Sequence, residues 1–216
     1  MIVRELLLAI WVSLKTSGLA ALVASLLAVP AALFLAGTDF RGKRLVLLIN
    51  QTWMAAPTVV IGLLFYSLLS RSGPLGGLGL LYTQAAMTVG QVFLILPLIV
   101  GFSYTALRQV DKRARTTALT LGASRRQAGW VVLREAKYAL LIAVLAGFAR
   151  AVSEVGIAMM LGGNIRNATR NITTSIALET AKGEFRNGVV LGVILLVITL
   201  GINLLVQTGL RGRDGE

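Results

Sequence analysis

The sequence predicts an all-α integral membrane protein with five transmembrane helices. Three observations carry this. Apolar residues make up 56% of the 216-residue chain and charged residues 14%, with a mean hydropathy of +0.80. Soluble domains carry about 25% charged residues, and a soluble chain this apolar would need a larger core than its length can enclose. Five long runs nearly free of charge each reach the roughly 20 residues that cross the hydrocarbon. These runs do not alternate apolar with polar, so helices rather than barrel strands satisfy their backbones.

The first run is 16–38, "TSGLAALVASLLAVPAALFLAGT". Residues 6–12 before it extend this helix outward or lie in the interface, with Lys15 reaching to water. A cleaved signal peptide is disfavoured, because the apolar run is too long and Pro30 with "AALFLAG" makes a poor cleavage site. The second run is 45–70. The third, 72–110, contains only Arg108 and opens with the turn-rich "SGPLGGLG", which leaves 80–107 to span. The fourth is 138–161, interrupted by Arg150 and Glu154, and the fifth is 187–210. Pro30, Pro57 and Pro97 fall inside spans, where proline is tolerated and kinks the helix.

Charge orients the spans. With the N-terminus outside, the inner segments 37–44, 108–137 and the tail after 210 hold three, eight and two Lys or Arg. The outer segments hold seven: Arg4, Lys15, Arg71, Arg166, Arg170, Lys182 and Arg186. The bias predicts N-out and C-in. Residues 1–216 form a single transmembrane domain, and 108–137 is a cytoplasmic loop within it. The net charge of +12 therefore marks the inner face of a bilayer rather than a nucleic-acid surface, for which aromatics beyond Trp130 are lacking. The chain has no Cys and no His, which removes disulfides, thiolate chemistry and the commonest metal ligands and general base.

Motifs narrow the chemistry. "GTDFRGKR" at 37–44 approaches the phosphate-binding loop pattern, but Arg44 stands where the magnesium-binding hydroxyl belongs and no strand precedes it. It reads as a cytoplasmic turn, and any ATP is left to a partner. "GVVLG" at 188–192 offers small residues for close helix contact. Arg150 and Glu154 stand four apart on one helix face, so they can pair. Ionisable groups at membrane depth face a protein interior or a wet path, so this pair either lines a pathway or locks helices together. Gln84, Gln91, Ser153 and Asn164 are weaker polar candidates of the same kind. The polar stretch 164–175, "NIRNATRNITTS", reads as a solvated outer loop. An enzyme is disfavoured because no nucleophile, base or metal constellation is visible. A non-transporting membrane scaffold stays open on these grounds alone.

The inner loop carries the most information. In "RTTALTLGASRRQAGWVVLREAK", 115–137, a short apolar piece is broken by Gly122 and resumes as an amphipathic run. Ala118, Leu119, Leu121 and Ala123 offer an apolar knob, flanked by arginines, that suits docking into a groove on another protein.

At these residues the chain resembles the permease subunits of ABC importers. Their shared loop runs Glu-Ala-Ala, then Gly, then Ile, then Leu-Pro. Here Ala118, Gly122 and Val132 hold matching positions, whereas Thr116, Thr117, Arg134 and Glu135 depart from it. "LGAS" at 121–124 fits as well. "SLKTS", "FRGKR", "GFARAVSEVG" and "GGNI" resemble the molybdate, tungstate and sulfate permeases, and the wording from "VLREAKYALL" to "TAKGEF" is most similar to the tungstate type.

The resemblance implies a type I ABC importer permease fold in a prokaryotic cell membrane. It implies a homodimer, two cytoplasmic ABC ATPases that bind the ATP and Mg, and a periplasmic or lipid-anchored solute-binding protein. It implies no cofactor on this chain. Tungstate is the expected cargo, with molybdate or sulfate as alternatives. The ATPase-docking residues it implies are Thr116, Thr117, Ala118, Leu119, Leu121, Gly122, Ala123, Ser124 and Arg125, on one helix over 116–127. Arg150, Ser153, Glu154 and Asn164 are the expected path or gate residues.

Overall fold

The computed structural model describes residues 3–211. The expected inner position of the tail falls on residues 212–216, outside those described, as do Met1 and Ile2. Among the described residues the secondary structure is helical, without strands. The elements are α1 (Val3–Gly37), α2 (Lys43–Met54), α3 (Thr58–Leu69), a 3-10 turn at Gly76–Leu78, and α4 (Gln84–Gln109). There follow α5 (Lys112–Thr120), α6 (Arg125–Glu135), α7 (Lys137–Val152), α8 (Gly156–Gly162), α9 (Ile172–Ala181) and α10 (Phe185–Arg211).

Three of these helices, α1, α4 and α10, are long and apolar enough to cross a membrane unbroken. The other two expected spans are each a bent pair. α2 and α3 meet at 96°, and α7 and α8 at 60°. Five spans result if each pair counts as one. The expected kink at Pro57 is thus a full break: Pro57 has φ −62° and ψ 129°, and it caps α3 without donating an N–H. Pro30 and Pro97, in contrast, lie within continuous helices.

Residues 6–12 extend α1 outward rather than lying in an interface. Ala9 and Val12 are buried, Ala9 against Ile172 of α9 and Leu191 of α10. The central core forms where α1 and α4 pack with α7 and α8. Ala20, Ala24 and Ala28 of α1 let Ile95 and Ile99 of α4 approach closely, and Ile157 and Leu161 of α8 close the other side. Alanine at these spacings presents a flat face, which favours close contact between membrane helices.

The stretch 164–175 is not a solvated loop. Its second half enters α9, and Asn171, Ile172, Thr173, Thr174 and Ser175 are all buried. Their polarity is satisfied locally. Asn171 Oδ1 accepts the Thr174 N–H at 2.8 Å and the Thr173 hydroxyl at 2.9 Å, and Ser175 returns its hydroxyl to Asn171 O at 2.7 Å. Ser13 of α1 accepts the Ile172 N–H at 2.9 Å. Buried polar groups partnered in this way carry little desolvation cost.

The segments between the spans gather at two ends of the molecule. At one end Arg166 pairs with Glu5, Gln84 Nε2 donates to Ala168 O, and Tyr82 N–H donates to Leu161 O. At the other, the last turns of α1 and α4 enclose a small cavity with α6, lined by Leu33, Leu107, Arg108 and Val132. Segments expected outside therefore gather at one end, and the first two of those expected inside at the other.

Candidate functional sites: a docking hairpin and two broken spans

The hairpin of α5 and α6 is built by its caps. Asp111 accepts the Arg113 N–H and starts α5. Gly122, at φ 87°, ends it: Gly122 N–H donates to Leu119 O at 3.1 Å and Ala123 N–H to Ala118 O at 3.0 Å. This paired closure needs a left-handed residue, which glycine supplies without steric cost. Ser124 then opens α6 through a reciprocal capping box with Gln127. The stretch 116–127 is therefore two helices, with the break at Gly122 that its own sequence predicts, and not the one helix assigned to the docking residues. A left-handed residue cannot continue an α-helix, so the chain turns at 121–124.

α6 is the anchored half. Ala128 is buried, and Val132 and Ala136 pack against Ala32 of α1, Leu107 of α4 and Leu140 of α7. The tip is left uncovered. Leu121 is 83% exposed, and Leu119, Thr116, Thr117, Gly122, Ser124 and Arg125 are exposed around it. Ala118 and Ala123 are half-buried, which gives the tip a firm base. The sequence-derived docking residues thus form one contiguous knob.

"GTDFRGKR" is a turn. Gly42, at φ 95°, caps α2, and Lys43 Nζ closes back on α1, 2.8 Å from Thr38 O and 3.0 Å from Asp39 Oδ1. That lysine is engaged at the end of α1, where a cation complements the helix dipole.

The second site is the break between α7 and α8. Arg150 Nη1 lies 2.8 Å from Glu154 Oε2, and the other carboxylate oxygen, Oε1, accepts the Ile157 N–H at 3.2 Å. Glu154 is buried at 3% exposure while Arg150 is half-buried. Thr173 Oγ1 of α9 stands 2.9 Å from Glu154 O and shares its one proton between that oxygen and Asn171 Oδ1. The pair therefore neutralises itself, and Glu154 caps the second half of a broken span.

The two breaks face each other. A Cβ on Gly156 would stand 3.2 Å from Glu154 Oε1 and 3.2 Å from Thr58 Oγ1, the first residue of α3. Ser153 is exposed beside Arg150 and returns its hydroxyl to Arg150 O. Asn164 does not join them. It sits beyond α8 at φ 50°, where its side-chain and backbone oxygens accept from Arg170 at 3.2 and 3.3 Å. Gln91 is buried inside the subunit, with Nε2 donating to Ala151 O at 3.1 Å.

Thr58, Gly156 and Asn50 escaped the sequence reading. Asn50 Nδ2 donates to Pro97 O at 3.0 Å and ties α2 to α4. Proline positions were a usable signal for the first break and for Asn50. Nothing in the sequence pointed to the meeting of Thr58 with Gly156.

The profile of a family described as "Binding-protein-dependent transport system inner membrane component" matches residues 28–210. A "Probable anion ABC transporter permease protein" of Haloferax volcanii is 40% identical, over 94% of this chain and 88% of that protein. The "Tungstate uptake system permease protein TupB" of Peptoclostridium acidaminophilum is 38% identical, over 92% of this chain and 87% of its own length. A crystal structure of an amino acid ABC transporter with histidines superposes with a TM-score of 0.69, covering 97% of this chain and 94% of that one at 16% identity. That last likeness is one of fold.

Proposed function

Because the chain belongs to the inner membrane components of binding-protein-dependent transport systems, we propose that it is the membrane subunit of an ATP-driven importer of a tetrahedral oxyanion, tungstate first. The observation that carries the cargo is the 38% identity to a tungstate uptake permease along nearly the whole of both chains. Molybdate and sulfate permeases are also related, at 29% and 28% identity.

The path is proposed to form between two copies. Ala55 and Pro57, at the α2–α3 break, are exposed on the single subunit. Non-helical backbone at membrane depth is tolerated only against protein or water, because lipid offers it no hydrogen bonds. A second copy meeting this face, with an aqueous path between, meets that requirement. Arg150 and Ser153 stand beside the facing break, where a guanidinium and a hydroxyl supply donors to a dianion. Glu154 repels the anion and belongs to the support of the break.

Energy enters through the hairpin. The Leu119–Leu121 tip docks on a cytoplasmic ATPase that binds ATP and Mg. α6, packed under α1, α4 and α7, carries the resulting motion into the spans. An extracytoplasmic binding protein delivers the anion and selects it. Uptake of labelled tungstate, molybdate and sulfate by the complex, reconstituted with its ATPase and binding protein, tests the reading. ATP-dependent tungstate uptake is expected, and uptake of an amino acid without any oxyanion overturns it.

A further inference from the structure

Tyr82 holds an unusual backbone. It has φ 64°, in the left-handed region, where a bulky aromatic residue is strained. The two other non-glycine residues with positive φ among those described, Asn164 and Asn167, are of a type that tolerates it. Strain of this kind persists only where the surroundings enforce it, and it concentrates at functional positions.

The surroundings here are specific. Tyr82 N–H donates to Leu161 O at 2.8 Å, which pins it to the end of α8. Its ring lies on Gly163, where a Cβ would meet Cδ1 at 2.7 Å. The strain brings the phenol to Tyr66 of α3: the rings meet edge to face at 6.5 Å between centroids, and the hydroxyls stand 3.4 Å apart. A hydroxyl contact of that length is weak, so each O–H remains available to a better acceptor. The Tyr66 hydroxyl holds the Tyr82 phenol above its usual pKa.

The two hydroxyls line a cavity of about 520 Å³ with Leu63, Met159, Met160 and Ile165. The cavity lies over the second halves of both broken spans, α3 and α8.

We propose that Tyr66 and Tyr82 form an oxyanion-responsive latch at the outer mouth of the path. A tetrahedral dianion accepts both phenolic protons, and two charge-assisted hydrogen bonds replace the weak contact between the hydroxyls. Breaking that contact frees α3 from the Tyr82 turn. The donors are neutral, so the anion is recognised without being trapped, as conduction requires. This inference rests on the oxyanion-importer reading above.

The test uses the complete complex in liposomes, with Tyr82→Phe, Tyr66→Phe and the double variant. The expected result is a several-fold rise in half-saturating tungstate for each single variant. The double variant should lose more than either single one, because each phenol supplies one of the two bonds to the anion. Thermal unfolding of the double variant should match the wild type, so that the change is read at the anion and not in the fold. Wild-type kinetics in the double variant overturn the latch while leaving the importer reading intact. Absence of oxyanion uptake by the wild-type complex overturns that reading instead.

Discussion

Glu154 spans the gap in its own helix: one carboxylate oxygen holds Arg150 at 2.8 Å and the other accepts the Ile157 N–H at 3.2 Å. The side chain thus closes the end of α7 and opens α8. An anion at a helix N-terminus is stabilised by the free N–H groups there. Removing Arg150 leaves a buried carboxylate with an N–H donor but without its cation. Arg150→Ala is expected to destabilise the subunit by about 2–3 kcal/mol. Glu154→Gln keeps an acceptor for Ile157 and should cost less. The double variant should be more stable than Arg150→Ala alone, since no unpaired charge remains. Thermal unfolding in detergent checks the cycle, and equal losses for Arg150→Ala and the double variant would refute the buried-charge account.

The hairpin yields a graded prediction at Gly122. A Cβ there meets nothing within 4 Å, so any penalty comes from the φ of 87°. Asparagine tolerates that conformation and valine does not. Gly122→Asn is expected to retain most coupled transport. Gly122→Val, at about 1–2 kcal/mol of local strain, should distort the tip and lower uptake per ATP hydrolysed several-fold. Uptake and ATPase assays on the same proteoliposomes decide it. Equal coupling in both variants would remove the left-handed turn from the mechanism.

Hydropathy made the five spans legible, and helical spacing made the Arg150–Glu154 pair legible. Gly122 was legible because a lone glycine between two apolar pieces has a simple backbone meaning. The depth of the breaks was not. Pro57 announces one, but the other contains no proline and depends on Glu154 reaching Ile157, a contact made by rotamer and burial. α9 stayed hidden because hydropathy scores Asn171, Thr173, Thr174 and Ser175 as solvent-seeking. In the fold their polar groups bond to one another and to backbone, so they pack inside. The strain at Tyr82 leaves no trace in residue type.

The outer surface of α9 carries a pH-dependent contact. Lys182, 3.0 Å away, holds the Glu179 carboxyl below its usual value of 4.5, partial burial opposes this, and Asn187 adds a second donor. A depressed folded pKa gives stability that is present above 4.5 and lost as pH falls through the depressed value. Glu179→Gln should therefore be less stable than the wild type at neutral pH, and the two should converge in acid. Unfolding midpoints measured from pH 7 downward test this; a constant gap below pH 4 would assign the difference to packing instead.

Glycine substitutions separate real helix contacts from the ones the sequence suggested. In the 188–192 motif, Gly188 lies against Thr180 Oγ1, 3.2 Å from a built Cβ, but Gly192 meets nothing within 4 Å. The tight approaches are elsewhere. A Cβ on Gly90 of α4 would stand 2.6 Å from Ile157 Cγ2 and 2.7 Å from Leu161 Cδ1, both on α8. One on Gly147 of α7 would stand 2.6 Å from Ile99. These atoms belong to buried side chains with no room to withdraw, so an added methyl must push α8 from α4 or α7 from α4. Overpacking of this kind costs about 1–3 kcal/mol. Gly90→Ala and Gly147→Ala are expected to lower the unfolding temperature in detergent. Gly192→Ala should leave it unchanged or raise it, because alanine favours the helix over glycine by about 1 kcal/mol. A loss at Gly192 matching that at Gly90 would mean that α10 carries a contact outside the subunit at this position.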